Sequence, residues 1–197
     1  MSAPGSMAIA EFERRVGPGT ALGAAADAIA RACADMAGRF GAGGKLIVFG
    51  NGGAATDAAH VAVEFVHPVI VGKRALPALS LSNDAAALTG LAEVHGLAGI
   101  YAAQLALVAD PGDIALGICG PGPAESVQRG LAEARRLGLL TVALTGRYSD
   151  GPGSTSSSRA VVADHVLRAE SDDPRIVKEI HVTTYHVLWE LVHVFLQ

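Results

Sequence analysis

Only two of the 197 residues are cysteine, Cys33 and Cys119, and neither has metal-ligand spacing. That excludes a disulfide framework and leaves reduced thiols in a cytoplasmic setting as the default expectation. Aromatic residues make up 5% of the chain and charged residues 17%, whereas half the chain is apolar. A packed interior must therefore be filled mainly by small and aliphatic side chains. No apolar run free of charges reaches transmembrane length, so no membrane span is expected. The start of the chain lacks the basic-then-apolar pattern of a signal peptide. Positive charge is also short: the net charge is -4, which argues against a nucleic-acid partner held by charge alone. No solenoid-period repeat and no linker between two cores is present.

What is there is an alternation of strand-like and helix-like segments. Residues 8–40 read as helix, broken at Gly17-Pro18-Gly19, with Thr20 as N-cap of the second piece. Short apolar runs at residues 45–49, 77–81, 114–118, 139–144 and 165–168 read as strands. Helices are expected between them, at residues 85–93, 97–108 and 124–137, and a long last helix opens at Pro174. The Gly- and Ser-rich stretch 146–158 reads as a mobile loop. Strands alternating with helices imply a parallel sheet covered on both faces, with ligands at the carboxyl ends of the strands. Residues 1–6 read as a disordered leader and 7–197 as a single domain.

The most informative stretch is Gly50-Asn51-Gly52-Gly53-Ala54-Ala55-Thr56-Asp57-Ala58-Ala59-His60, with Glu64 four residues on. A Gly-rich turn between a buried strand and a helix leaves backbone N–H groups at the helix mouth, where an anion can sit. His60 and Glu64, spaced i, i+4, share one helical face. One element thus offers an anion cradle, a base and metal ligands, although a helical surface pair is the plainer reading of His60 and Glu64 taken alone. Asp57 lies in the first helical turn, where the helix dipole alone would favour a carboxylate. Cys119 precedes a second Gly-rich turn and reads as a small buried residue more readily than as a reactive thiolate.

With these residues in place, the chain resembles the sugar isomerase (SIS) family, and within it the sedoheptulose 7-phosphate (phosphoheptose) isomerases. The resemblance spans nearly the whole chain. It rests on Gly50-Asn51-Gly52-Gly53 with Asp57, His60 and Glu64; on Asp84 with Leu88-Thr89; on Pro111-Gly112-Asp113, Ala143-Leu144-Thr145-Gly146-Arg147 and Ala163-Asp164-His165-Val166; and on Glu179-Ile180-His181 with His186. It implies a three-layer, flavodoxin-like α/β sandwich with a five-stranded parallel sheet and an N-terminal helical extension. It also implies a homotetramer with sites between subunits. Proton transfer in aldose–ketose isomerisation would fall to Glu64 and His186. Asn51, Gly52, Gly53, Asp57, Asp84, Gly120, Gly122, Asp173 and Lys178 are the substrate-binding candidates. Some family members bind zinc, and His60, Glu64 and His186 are the matching metal-ligand candidates here.

The chain also departs from the family. Ala54 stands where a serine usually follows Gly-Asn-Gly-Gly, and Cys119-Gly120-Pro121-Gly122-Pro123-Ala124 replaces a Ser-Thr-rich turn. Ala85 and Ala86 follow Asp84 where hydroxyls are common. A hydrogen bond to a charged group contributes roughly 1.5–3 kcal/mol, so phosphate binding needs other donors, for which Ser126 is a poorly spaced candidate. Lys178 replaces the usual glutamine of the zinc-binding relatives, and a protonated lysine has no lone pair to offer a metal. The expectations for Lys178 are a pairing with Glu64 in place of the metal or a contact with phosphate; no cofactor is implied with certainty, and zinc is disfavoured unless Lys178 points away. Glu179 reads as orienting His186 or as a surface or interface acid, and His181, five residues before His186, as facing elsewhere in an interface or structural role. Two functions follow: a sugar-phosphate isomerase working through an enediol, or a non-catalytic tetramer serving as a binding or assembly module, like the DnaA-binding initiator-associating protein of the same subfamily.

Overall fold

The apolar runs form five strands: β1 Leu46–Gly50, β2 Ala78–Ser80, β3 Ile114–Ile118, β4 Leu140–Gly146 and β5 His165–Ala169. The structure is a computed structural model that describes residues 3–122, 124–147 and 161–197. All pairings are parallel, in the order β2-β1-β3-β4-β5, with Val48 opposite Leu116 and Leu116 opposite Val142. Every residue of β1, β3 and β4 is buried. A parallel strand covered on both faces must be apolar throughout, which is why these runs show no alternation.

The two faces are covered separately. Leu46, Val48, Leu116 and Val142 pack with Ile29 and Met36 of α2 (Ala26–Gly41), Phe65 of α3 (Gly53–Val66) and Trp189 of α7 (Pro174–Phe195). Ile47, Phe49, Ala115 and Ala143 pack with Tyr101 and Leu105 of α5 (Ile100–Val108) and with Val127 and Leu131 of α6 (Glu125–Arg136). Helix α4 (Ala85–His95) has no fully buried residue and leans on the second face through Leu88 and Leu91. In the order β2-β1-β3, helix α3 after β1 and helix α6 after β3 lie on opposite faces. Their first turns leave a crevice at the strand ends, where ligands bind in such sheets.

Helix α1 (Ala3–Ala24) departs from expectation twice. It runs through Gly17-Pro18-Gly19 without a break, and it includes residues 3–6, expected as a leader; Met1 and Ser2 lie outside the described residues. Pro18 removes one backbone donor, but Thr20 Oγ1 donates back to the Val16 carbonyl at 2.9 Å rather than capping a new helix. Tertiary ties hold the segment: Arg14 pairs with Asp173 and Arg15 Nε with Glu179 at 2.7 Å, both on or beside α7. The loop expected at 146–158 begins inside β4, and from residue 148 it lies outside the described residues, as does Pro123. Among the described residues no single helix is long and apolar enough to cross a membrane.

Candidate functional site

The turn after β1 is tight for a reason carried by its glycines. A Cβ on Gly50 would lie 2.8 Å from the Ala54 Cβ and 2.9 Å from the Ile118 carbonyl oxygen. Gly52, the residue before α3, has φ +55° and ψ -120°, a backbone state that glycine tolerates and other residues rarely adopt. Asn51 between them is held from two sides: its Nδ2 donates to Ser126 Oγ at 2.8 Å and its Oδ1 accepts from Tyr101 at 3.0 Å. Ser126 is thus spent on Asn51 rather than on a ligand. The N–H groups of Ala54 and Ala55 turn back onto the Asn51 and Gly52 carbonyls, both at 3.0 Å, so the mouth of α3 is poorer in donors than its sequence suggests.

A half-open cleft of about 170 Å³ lies against this turn, walled by Asn51, Gly53, Asp57, Gly120, Lys178 and His181, with Ala54 and Pro121 contributing apolar wall. Lys178 does not reach Glu64. Its Nζ donates to Asp57 Oδ1 at 2.6 Å, to the Gly53 carbonyl at 2.9 Å and to Thr56 Oγ1 at 3.2 Å. Asp57 is 5% exposed, so this ammonium is the partner that makes a buried carboxylate tolerable. His181, expected to face away from the site, is part of the cleft wall and 3% exposed; burial pushes its pKa down.

Farther along the same two helices, His60, Glu64 and His186 converge, with one ligand atom from each within 4.8 Å of the others. His60 Nε2 lies 3.1 Å from Glu64 Oε1, and the Tyr185 hydroxyl lies 2.9 Å from His60 Nδ1. The His60 and His186 rings meet edge-on, 5.2 Å between centroids. Burial, then the Asp57 and Glu64 charges, push the Tyr185 phenol up to about 12, so it stays protonated and serves as a hydrogen-bond partner. Seven residues of helix rise separate Asp57 from Glu64, about 10 Å at 1.5 Å per residue.

Residues 20–146 match the SIS domain family. Phosphoheptose isomerase from Pelobacter propionicus is 40% identical over 163 residues, 81% of this chain and 82% of that one. Phosphoheptose isomerase from Aquifex aeolicus is 39% identical over 150 residues, 76% of this chain and 75% of that one. The chain belongs to the SIS domain family, in its phosphoheptose isomerase branch. The structure of a phosphoheptose isomerase from Francisella tularensis superposes with a TM-score of 0.81 at 28% identity, covering 98% of both chains. That of GmhA from Neisseria gonorrhoeae gives 0.82 at 23% identity, which speaks for the fold.

Within the SIS frame, the sequence candidates separate into four groups. Asn51, Gly53, Asp57, Gly120 and Lys178 line the cleft, and His60, Glu64 and His186 form the second cluster. Gly52 and Gly122, both at positive φ, shape the two turns beside the cleft without lining it. Asp84 accepts the Ala87 N–H at 3.0 Å as N-cap of α4, and Asp173 accepts the Arg175 N–H at 2.9 Å as N-cap of α7; neither lines the cleft. Glu179 binds Arg15 of α1 instead of orienting His186. Cys119 is buried, which pushes its thiol up to about 12 and leaves it inert.

Sequence reasoning missed His181 and Tyr185. Both follow Lys178 at helical spacing, i+3 and i+7, and that spacing was the signal for a shared face. The donor set of the second cluster suits zinc: two imidazoles and a carboxylate, with Lys178 turned away, leave the fourth position open as in catalytic sites. His60 Nε2 and Glu64 Oε1, 3.1 Å apart, are already near the roughly 3.4 Å between ligands of a tetrahedral zinc with 2.0–2.1 Å bonds.

Proposed function

We propose that this chain is an aldose–ketose isomerase acting on a sugar phosphate, of the sedoheptulose 7-phosphate isomerase type. The observation that carries this reading is the pairing of Glu64 with His186 at one end of α3 and α7 and an anion-sized cleft with a lysine at the other. The relatives named phosphoheptose isomerase support it. Glu64, largely buried but reachable, takes a proton from the carbon beside the substrate carbonyl. His186 supplies a proton to the carbonyl oxygen, which gives the enediol. Return of a proton to the neighbouring carbon and loss of one from the other hydroxyl complete the exchange.

A divalent metal held by His60, Glu64 and His186 would polarise the carbonyl and stabilise the enediolate. Tyr185 would then accept a hydrogen bond from His60 Nδ1–H and fix the ring for ligation. Large apolar side chains exposed on α1 (Met7 and Phe12, each 72% exposed) and around α4 (Val94 and Leu97) support assembly into the homotetramer expected of this branch.

The test is titration of the purified protein with sedoheptulose 7-phosphate, with and without Zn²⁺, following heat and product together. Binding with turnover, and binding without turnover in Glu64→Gln, is the expected result. No binding at millimolar ligand would reject this substrate.

A further inference from the structure

The last turn of α3 carries Glu64, and its backbone carbonyls cannot all be met from within the helix. An α-helix leaves its final carbonyls without a partner in the ladder. The Val63 carbonyl accepts the His67 N–H at 2.8 Å. Continued helix would offer the Glu64 carbonyl the N–H of residue 68, but that residue is Pro68, which has none. His67 has already left helical geometry, at φ -130° and ψ 76°, as a residue before proline tends to. The Phe65 carbonyl accepts the Leu76 N–H at 2.8 Å, from the chain returning to β2. The Glu64 carbonyl accepts from a side chain instead: the Trp189 indole Nε1–H of α7, at 2.8 Å.

We propose that Trp189 is a positioning residue for Glu64: its indole caps the turn that carries the base and holds the carboxylate in place against His60 and His186. The inference rests on the isomerase reading and deepens it. Trp189 is the chain's only tryptophan and is 5% exposed, so packing fixes the ring that makes the bond. A buried indole N–H needs an acceptor and a helix-end carbonyl needs a donor, and each satisfies the other here. The His193 ring, one turn further along α7, lies 4.6 Å from the indole between centroids and backs it. His193 Nε2 lies 2.9 Å from the Arg74 carbonyl, on the same returning chain that Leu76 ties to Phe65.

The place of this bond along the helices ties it to the chemistry. Polar rungs cross from α7 to α3 at three levels: Lys178 to Asp57 at 2.6 Å, Tyr185 to His60 at 2.9 Å and Trp189 to Glu64 at 2.8 Å. His186 lies three residues before Trp189, so the two share a face of α7. The same helix therefore presents the proton donor and grips the turn that bears the base. The Glu64 carboxylate meets His60 Nε2 at 3.1 Å, a contact within α3 that does not fix its height against α7. At the level of Glu64 that height rests on the backbone of the turn, and Trp189 is the α7 side chain bonded to it. A catalytic group displaced by about an ångström can lose about 10²-fold in rate.

The experiment removes the donor and keeps the ring. Trp189→benzothienylalanine puts sulfur in place of the indole N–H at nearly the same shape, and Trp189→Phe is the coarser second variant; a thermal melt checks that each is folded. Turnover of sedoheptulose 7-phosphate is read beside backbone hydrogen exchange of the whole, unliganded protein. The expected result for the sulfur variant is a fall in kcat of about tenfold with KM within about twofold. Exchange should quicken at the amides of residues 64–67 and 76 and stay unchanged in the first turns of α3. Trp189→Phe should lower kcat at least as far. Equal kcat in the unaltered and sulfur-bearing proteins overturns the proposal and leaves Trp189 a packing residue. So does a loss of kcat with KM rising as far, with exchange unchanged at residues 64–67, or with exchange raised throughout the chain. Absence of turnover in the unaltered protein would sink the isomerase reading alone. The hold on the Glu64 turn then stands if exchange quickens only at residues 64–67 and 76, and falls if it does not.

Discussion

Two clusters sit about two turns apart along α3 and α7, and they differ in composition and in what each can do. The cluster of His60, Glu64 and His186 brings the proposed base, proton donor and metal ligands within 4.8 Å of one another. The cleft at the helix mouth has Ala54 and Pro121 in its wall and holds a lysine, a buried carboxylate and an imidazole. Proton transfer constrains atoms to hydrogen-bond reach of a reacting carbon, so few substitutions survive there. Anion binding asks only for enough donors and positive charge near one volume, and several side-chain sets can supply that. The two ends therefore differ in how tightly their proposed roles constrain the side chains that fill them.

The sharpest way to separate the two ends is Glu64→Gln. It should lower kcat by about 10²–10⁴-fold, the usual worth of a positioned base, while leaving the Kd for the sugar phosphate within a few fold. A parallel loss of binding would show that the two ends are not separable. Next in size is Lys178→Met, which strips the cation from Asp57. A fully buried broken pair costs about 3–5 kcal/mol; with the Lys178 side chain 44% exposed, about 2 kcal/mol is expected, read as a lower midpoint in urea. Unchanged stability would mean that Asp57 finds another partner.

Tyr185→Phe probes the support of the chemical end. Loss of its hydrogen bond to His60 should cost about 1 kcal/mol, or roughly fivefold in kcat. Zinc affinity should fall by about 10–100-fold, as for other groups that orient a ligating histidine; unchanged affinity would remove Tyr185 from that role. The smallest effect is a slope of stability with pH. Burial holds the His181 pKa below its ordinary 6.5, so below that pH the unfolded chain binds more protons than the folded one. Stability from this group is complete above 6.5 and declines as pH falls toward the folded pKa. In chemical denaturation the slope should be shallower in His181→Gln, and equal slopes would place the ring in water rather than in the wall.

Much of this was legible in the chain. The strands at residues 114–118 and 46–49 announce themselves as uninterrupted apolar runs, because a doubly covered parallel strand has no polar face to show. His60 and Glu64 could be placed on one face from their spacing alone, and the Gly50–Gly53 turn from its glycines. The continuity of α1 was not legible. Gly17-Pro18-Gly19 disfavours helix locally, and the ties that override it, Arg14 to Asp173 and Arg15 to Glu179, join residues more than 150 positions apart.

The partner of Lys178 was hidden in the same way. The sequence suggested Glu64 or a phosphate as the partner of Lys178, and only the packing of α7 on α3 chose Asp57, 121 residues away. Local pattern and turn chemistry by themselves determined most of the elements, the covering of the sheet on both faces and the placing of His60 and Glu64 on one helical face, since these depend on periodicity and on residues close in the chain. The tertiary structure alone decided which charge Lys178 neutralises and that His181 joins the wall of a cleft. Burial and long-range pairing are properties of surfaces brought together, and no single element carries them.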